Sequence, residues 1–258
     1  MTANILAVGD IVGASGLGFL SKKLRAIKKL YDISFTVVNG ENSAMIGITP
    51  KQADEILESG ADVITLGNHT WGRREIADYL DDSRYILRPA NYAPQVPGRG
   101  HGVFEAPFGQ VCVMNLIGRC GMNFGAENPF LAADRIVSDT DAKVILVDFH
   151  AEATSEKLAM ANFLDGRVSA LWGTHTHVQT SDACVFPKGT GYITDLGMTG
   201  PVNSVIGIKP EQSVSMFLGN PPQRFECAPG PSKLECAVFE IDTSTGLCLS
   251  VEALRITE

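Results

Sequence analysis

The sequence predicts an α/β fold organised on a largely parallel β-sheet. Three observations carry that expectation. Short apolar, β-rich runs alternate with segments of helical period over the first two-thirds of the chain, the helical segments carry start and stop signals, and the strand-like runs end in polar residues. At 258 residues, with 45% hydrophobic and 19% charged residues and no long biased tract, the chain can bury a substantial core.

The elements follow in order. Ile5–Val8 is the first strand and ends in Gly9-Asp10. Gly18–Tyr31 then sets Leu20, Leu24, Ile27 and Leu30 at helical spacing with lysines and an arginine opposite, and returns the chain to a strand over Phe35–Val38 that runs into Gly40-Glu41-Asn42. Thr49-Pro50-Lys51-Gln52 supplies an N-cap, a first-turn proline and a capping-box glutamine, with Gly60 as the stop. Strand Val63–Leu66 leads to Asn68-His69, which completes a βαβαβ rhythm and predicts right-handed crossovers. From Tyr85 to Gly109 prolines and glycines concentrate, so this stretch, with Asn91 and His101, reads as a loop-rich excursion. Strand Val111–Leu116 restarts the pattern, Asn128-Pro129 opens a helix, Lys143–Val147 carries Asp148 and His150, and a helix over Ser155–Leu164 ends near Asp165-Gly166. Val168–Leu171 is a short strand emptying into Gly173-Thr174-His175-Thr176-His177, where Gly173 is expected to let the backbone turn off the strand. Beyond it Gly189–Pro201 is rich in glycine and threonine and Asn220–Pro231 in proline, while Leu234–Ile241 and Leu247–Ile256 form a hairpin around Thr243–Gly246. Without a clean linker or an internal repeat, one domain over 1–258 is expected, elaborated near 85–109 and 186–233.

Composition narrows the partners. A formal net charge of −8 argues against an extended interface with DNA or long RNA, though compact anions remain compatible where bound cations reverse the local field. The six cysteines include no C-x-x-C pair and read as free thiols. Apolar runs fall far short of the ~20 residues of a membrane helix, and no signal-like n- and h-region follows Met1, so a cytoplasmic protein without membrane association is expected.

Chemistry concentrates at the strand ends. Four of the five histidines, His69, His150, His175 and His177, sit just downstream of apolar runs, as do Asp10, Glu41, Asn42 and Asn68. Open α/β folds gather their ligands there. In extended chain His175 and His177 point to one side and reach one cavity, whereas in a loop they would be an ordinary surface pair. Joined to His150, Asp10 and Glu41 from separate strands, they read as a metal centre. Imidazoles with carboxylate and amide oxygens, and no thiolate nearby, suit manganese, iron or zinc. Seven candidate ligands, Asp10, Glu41, Asn42, Asn68, His150, His175 and His177, exceed one tetrahedral zinc and suit two ions sharing a carboxylate, with Glu41 as the bridge. Asp148, Glu152 and Asp195 could orient the imidazoles or could simply be solvated or capping carboxylates. Trp71 and Arg119 could contact a nucleotide or be packing and surface charge, and His101 reads as a loop residue.

The strings GDIVG, NGEN, GNHTW, VDFHAE with TSEK, GTHTHVQT and ITDLGMTGP, in this order over nearly the whole chain, resemble the calcineurin-like metallophosphoesterases, and specifically their YmdB-type branch. NGEN sets a glutamate where the superfamily's bridging aspartate stands, and Asp10 is followed by Ile11 and Val12 in place of the general D-x-H. The resemblance implies a four-layer sandwich of two mixed β-sheets flanked by helices. It implies that Asp10, Glu41, Asn42 and His177 hold one metal, iron or manganese with zinc as an alternative, and that Glu41, Asn68, His150 and His175 hold the other. His69 would stay off the metals as proton donor to the leaving alkoxide; the alternative for it is a packing imidazole. The implied activity is hydrolysis of small phosphodiesters, 2′,3′-cyclic nucleotides above all, by attack of metal-bound hydroxide. The rivals are a phosphomonoesterase and a regulatory nucleotide- or partner-binding protein whose catalysis is incidental; the H-x-H-x-D-H string of metallo-β-lactamase-like hydrolases is absent. A homo-oligomer is compatible with the resemblance, with no residue fixing a stoichiometry.

Overall fold

The computed structural model describes residues 1–122 and 125–258. Along the chain the elements are β1 (Thr2–Val8), β2 (Asp10–Ile11), α1 (Gly13–Leu30), β3 (Ile33–Asn39), α2 (Pro50–Glu58), β4 (Val63–Thr65), α3 (Ile76–Asp82), β5 (Ile86–Leu87), β6 (His101–Ala106), β7 (Gly109–Ile117), α4 (Pro129–Asp139), β8 (Val144–His150), α5 (Thr154–Leu164), β9 (Ala170–Thr174), β10 (Cys184–Val185), β11 (Gly191–Ile193), β12 (Met198–Pro201), α6 (Pro210–Phe217), β13 (Ser232–Asp242) and β14 (Cys248–Thr257). No helix is long and apolar enough to cross a membrane among the described residues.

Two mixed sheets form. In the first, β1, β3, β4 and β5 run parallel, and β13 pairs antiparallel with β1, β12 and β14. In the second, β7, β8, β9 and β11 are parallel, with antiparallel β6 and β10 at the edges. The parallel character expected from the βαβ rhythm therefore holds from β1 to the edge strand β5 in the first sheet and at the centre of the second. Apolar side chains sort into three layers of core. Leu20, Leu24 and Ile27 of α1 and Ile56 of α2 pack on one face of the first sheet. Ile5, Phe35, Val113, Leu146 and Trp172 fill the space between the sheets, and Ala133 of α4 and Met160 and Leu164 of α5 cover the far face of the second. The result is the helix–sheet–sheet–helix sandwich.

Local signals account for most boundaries. The Thr49 hydroxyl accepts from the Gln52 backbone N–H and the Gln52 side chain accepts from the Thr49 N–H, closing the capping box that starts α2, and Asn128 caps α4 ahead of Pro129. The excursion over 85–109 departs from expectation: it contains β5 and β6, and His101 is the first residue of a strand, not of a loop. Its glycines mislead because several serve close packing; a Cβ at Gly100 would overlap Ala90. Helices α3 and α6 carry weak sequence signals, because neither has a side-chain cap and α6, apart from its first-turn Pro210, buries Gln212 and Ser213, not an apolar stripe.

Candidate metal centre

The carboxyl ends of parallel strands from both sheets meet over one spot. Asp10 follows β1, Glu41 and Asn42 follow β3, Asn68 and His69 follow β4, His150 ends β8, and His175 and His177 follow β9. Gly67 makes the approach close, since a Cβ there would overlap both His150 and the Glu41 carboxylate.

The expected ligands fall into two groups that share Glu41. His150 Nε2 lies 3.0 Å from Glu41 Oε1, 2.8 Å from Asn68 Oδ1 and 3.1 Å from His175 Nδ1. Glu41, His150 and His175 each present a ligand atom, and these lie within 4.8 Å of one another. On the other side, Asn42 Nδ2 is 3.3 Å from Glu41 Oε1 and 3.2 Å from His177 Nε2, which is 3.8 Å from Asp10 Oδ1. Rotating the Asn42 amide exchanges Nδ2 for Oδ1, the atom a cation takes. Asp10 Oδ1 is fully buried and has no hydrogen-bond partner, a cost that a cation would remove.

One expectation about this cluster is corrected. His175 and His177 do not sit in extended chain: β9 ends at Thr174, and both histidines adopt left-handed backbone, with φ of 105° and 64°. Gly173 is not the turn but an interior residue of β9, opposite Phe149, where a Cβ would overlap the Thr194 carbonyl oxygen. The two imidazoles converge because the loop is held in strained conformations, a cost of ~1–3 kcal/mol per residue that the surroundings must impose. Those surroundings are the Asp10 carboxylate, which accepts the His175 N–H, and Asp195, whose Oδ2 accepts the Thr176 N–H at 3.1 Å.

Outer partners fix the protons of the histidines. Thr174 donates its hydroxyl to Asp148 at 2.7 Å and so accepts from His150 Nδ1 at 2.9 Å, which turns Nε2 toward Glu41. Asp148 is buried and also accepts from Asn39 and Thr65, so it orients His150 through Thr174 and is neither solvated nor a cap. His177 Nδ1 donates to the Ile206 carbonyl, leaving Nε2 toward Asp10, and His175 Nε2 lies 3.0 Å from Glu152 Oε2, leaving Nδ1 toward His150. Three ring nitrogens thus face inward with their opposite nitrogens engaged, the arrangement that metal-binding imidazoles need. The donor set therefore fits hard or borderline cations.

Electrostatics agree. Burial would push the Glu41 carboxyl up, but His150 beside it holds it down near 2. Burial works against a charged His150 as well, and Glu41 and Asp10 overcome it and raise the imidazole. The proton so favoured on Nε2 occupies the position from which a cation would be held. Asp10 is raised to about 6 by burial, His175 is lowered to about 3 by burial and by His150, and His69 is lowered by burial.

A cavity of about 500 Å³ opens beside the cluster, lined by Glu41, Asn42, His69, Glu152, His175 and His177 and by apolar side chains of Val12, Met45, Ile46, Ile208 and Phe225. His69 is half-buried at its wall; its backbone N–H donates to Glu41 Oε2 at 3.0 Å and its Nε2 lies 3.3 Å from Asn68 Nδ2. Trp71 and Arg119 are exposed and line no part of it. Sequence reasoning passes over Asn39 and Thr65, although each is a polar residue closing an apolar strand string, whereas Thr174, expected to face away or donate a hydrogen bond, does donate one, to Asp148. It also passes over Lys157, whose Nζ lies 2.8 Å from Asp195 Oδ2 with both groups buried.

Comparison with known proteins bears on the whole chain. Its sequence is 42% identical over 257 residues to the 2′,3′-cyclic-nucleotide 2′-phosphodiesterase of Bacillus subtilis (strain 168), covering 98% of this chain and 97% of that one. Its fold superposes on a crystal structure from Mycoplasma pneumoniae described as a novel phosphatase with a TM-score of 0.94 at 34% identity, covering 100% of this chain and 94% of that one. A hypothetical protein from Thermus thermophilus matches with a TM-score of 0.92 at 37% identity over 99% of both chains. Residues 6–254 match the family described as YmdB-like protein, and the chain belongs to that family.

Proposed function

We propose that the protein hydrolyses small phosphodiesters, with 2′,3′-cyclic nucleotides as favoured substrates, on two metal ions. Asp10, Glu41, Asn42 and His177 would hold one ion and Glu41, Asn68, His150 and His175 the other, with manganese or iron as occupants and zinc as an alternative. When bound, the ions would supply Lewis acidity toward the phosphoryl oxygens and toward water. The observation that carries this reading is the convergence of Glu41, His150 and His175 on one point, beside the orphaned Asp10 Oδ1, at the wall of an open cavity. The Bacillus subtilis relative's name supplies the substrate class.

The residues of the chain have distinct tasks in this reaction. Thr174 and Asp148 orient His150, and Asp195 and Ile206 hold the loop of His175 and His177. His69, fixed through its backbone to Glu41, has its ring at the cavity wall, where a proton can pass to the departing ribose oxygen. The apolar wall excludes water from one side of the substrate.

Metal analysis and turnover by the same samples test the reading. Wild-type protein reconstituted with manganese or iron should hydrolyse a 2′,3′-cyclic nucleotide faster than a simple phosphomonoester. Glu41→Ala and His150→Ala should lose metal and activity together, whereas His69→Ala should keep its metal and lose ~10²–10⁴-fold in kcat. Reconstituted wild-type protein that hydrolyses no phosphoester refutes it.

A further inference from the structure

A second cavity, of about 440 Å³, adjoins the one beside the ligand cluster and shares the walls Met45, Ile46, Ile208 and Phe225 with it. Its remaining lining is Ala44, Gly72, Arg73 and the exposed Gln223 and Arg224. The pair of cavities makes a divided cleft, with imidazoles and carboxylates at one end and a largely apolar lobe with an aromatic ring at the other.

The lobe is built on the same loops that carry the ligand set. Met45 and Ile46 lie just beyond Asn42, in a turn where Met45 N–H donates to the Asn42 carbonyl and Ala44 N–H to that of Gly47. Gly72 closes the turn after His69, donating its N–H to the His69 carbonyl at 2.8 Å. The two turns are pressed backbone to backbone: a Cβ at Gly47, whose φ is +81°, would lie 2.8 Å from Arg73 N, and one at Gly72 would lie 2.8 Å from Gly47 N. Arg73 Nη2 clamps them by donating to the Ala44 carbonyl at 2.7 Å. Ile208 belongs to the tight turn in which Val205 and Ile208 exchange backbone hydrogen bonds and Ile206 offers its carbonyl to His177. Phe225 lies on the strand-like segment paired to that turn through Lys209 N–H and the Glu226 carbonyl. The walls Met45, Ile46, Gly72 and Ile208 thus stand on the turns that carry ligands of the cluster, with Phe225 on the segment hydrogen-bonded to the last of them.

We infer that this second lobe is the nucleobase subsite, with Phe225, Ile46 and Met45 as the specificity-determining surfaces for a flat heterocycle. The inference rests on the phosphodiesterase reading and deepens it. In a 2′,3′-cyclic nucleotide the base leaves the ribose at C1′, next to the carbon bearing the 2′ oxygen, so a substrate with its phosphorus at the ligand cluster can reach the adjoining space with its base. Apolar side chains and one aromatic ring suit the π-face of a base without selecting its edge, and the Gln223 amide, with both donors and an acceptor, can read that edge alongside the donors of Arg73 and Arg224.

The test compares adenosine 2′,3′-cyclic phosphate with methyl riboside 2,3-cyclic phosphate, which has the same reacting diester and no base. Phe225→Ala should lower the ratio of their kcat/KM values about tenfold, equivalent to about 1.4 kcal/mol, chiefly through KM for the nucleotide. Ile46→Ala, at an exposed wall position where folding is not at stake, should lower it in the same direction. A ratio that moves less than twofold in both variants overturns the subsite while leaving the hydrolytic reading intact. Calorimetric binding of adenosine 3′-monophosphate reads the lobe without turnover. Wild-type protein that cleaves neither diester, yet loses that binding in Phe225→Ala, refutes the hydrolytic reading and supports the lobe; absence of both cleavage and binding refutes the two together.

Discussion

Replacing Lys157 by methionine should destabilise the protein more than almost any other single change outside the ligand set. Lys157 rises from α5 beneath the loop of His175 and His177, and its ammonium and the Asp195 carboxylate are 0% and 1% exposed at a separation of 2.8 Å. Methionine fills a similar volume but strands the Asp195 charge, which keeps only the backbone N–H groups of Thr176 and Gly197 and the protein dipoles around it. Removing one partner of such a buried pair costs ~3–5 kcal/mol, because the survivor remains desolvated without its counter-charge. With about 2–4 °C of Tm per kcal/mol for a chain of this size, the midpoint should fall by roughly 6–20 °C in thermal unfolding followed by circular dichroism. Asp195→Asn keeps an amide oxygen for one of the two backbone donors, turns its NH2 toward the other and strands the lysine, so it should also destabilise. The double variant, with neither charge left, should be more stable than the sum of the single losses requires. A Lys157→Met protein within about 1 kcal/mol of wild type, or strict additivity in the double variant, would refute the claim that the pair is coupled.

Two further outcomes bear on the cluster itself. Gly67→Ala puts a methyl group into His150 and Glu41, so metal affinity measured by titration should fall at least about tenfold, and an unchanged affinity would show that the strand ends can part without cost. Thr174→Val, nearly isosteric, removes the acceptor that fixes His150 Nδ1 and should cost ~10–100-fold in metal affinity or turnover; equal affinity in the two proteins would mean that packing alone orients the ring.

Much of this architecture is legible in the sequence, for reasons that differ by element. The helix α2 is readable because Thr49, Pro50 and Gln52 encode its start locally, and the β13–β14 hairpin because both strands are long and bounded by the Thr243–Gly246 turn. Helix α6 is not, since its buried face is Gln212 and Ser213, and the Gln212 amide is satisfied by the Arg224 carbonyl and the Glu226 N–H, which lie beyond the helix. At the site, the ligand strings stand out because histidine and carboxylate after an apolar run are chemically conspicuous. Their supports do not: Thr65 and Asn39 look like ordinary strand ends until the two sheets bring them against Asp148, more than 80 residues away in sequence. The left-handed backbone of His175 and His177 is likewise invisible, because no local rule forces a non-glycine residue there; tertiary hydrogen bonds impose it.

The pairing of β1 with β13 ties residue 2 to residue 242, and β13 lies along β1 for nearly its whole length. During synthesis, β1 can join β3, and β3 join β4, early through short crossovers, but the other backbone edge of β1 has no partner until residues 232–242 have left the ribosome. For that interval the nascent molecule carries an open row of peptide groups in its first sheet, a surface to which other nascent chains can add. Closure of so distant a pair also slows refolding from denaturant, since the entropy of a very long loop is spent before the last strand docks.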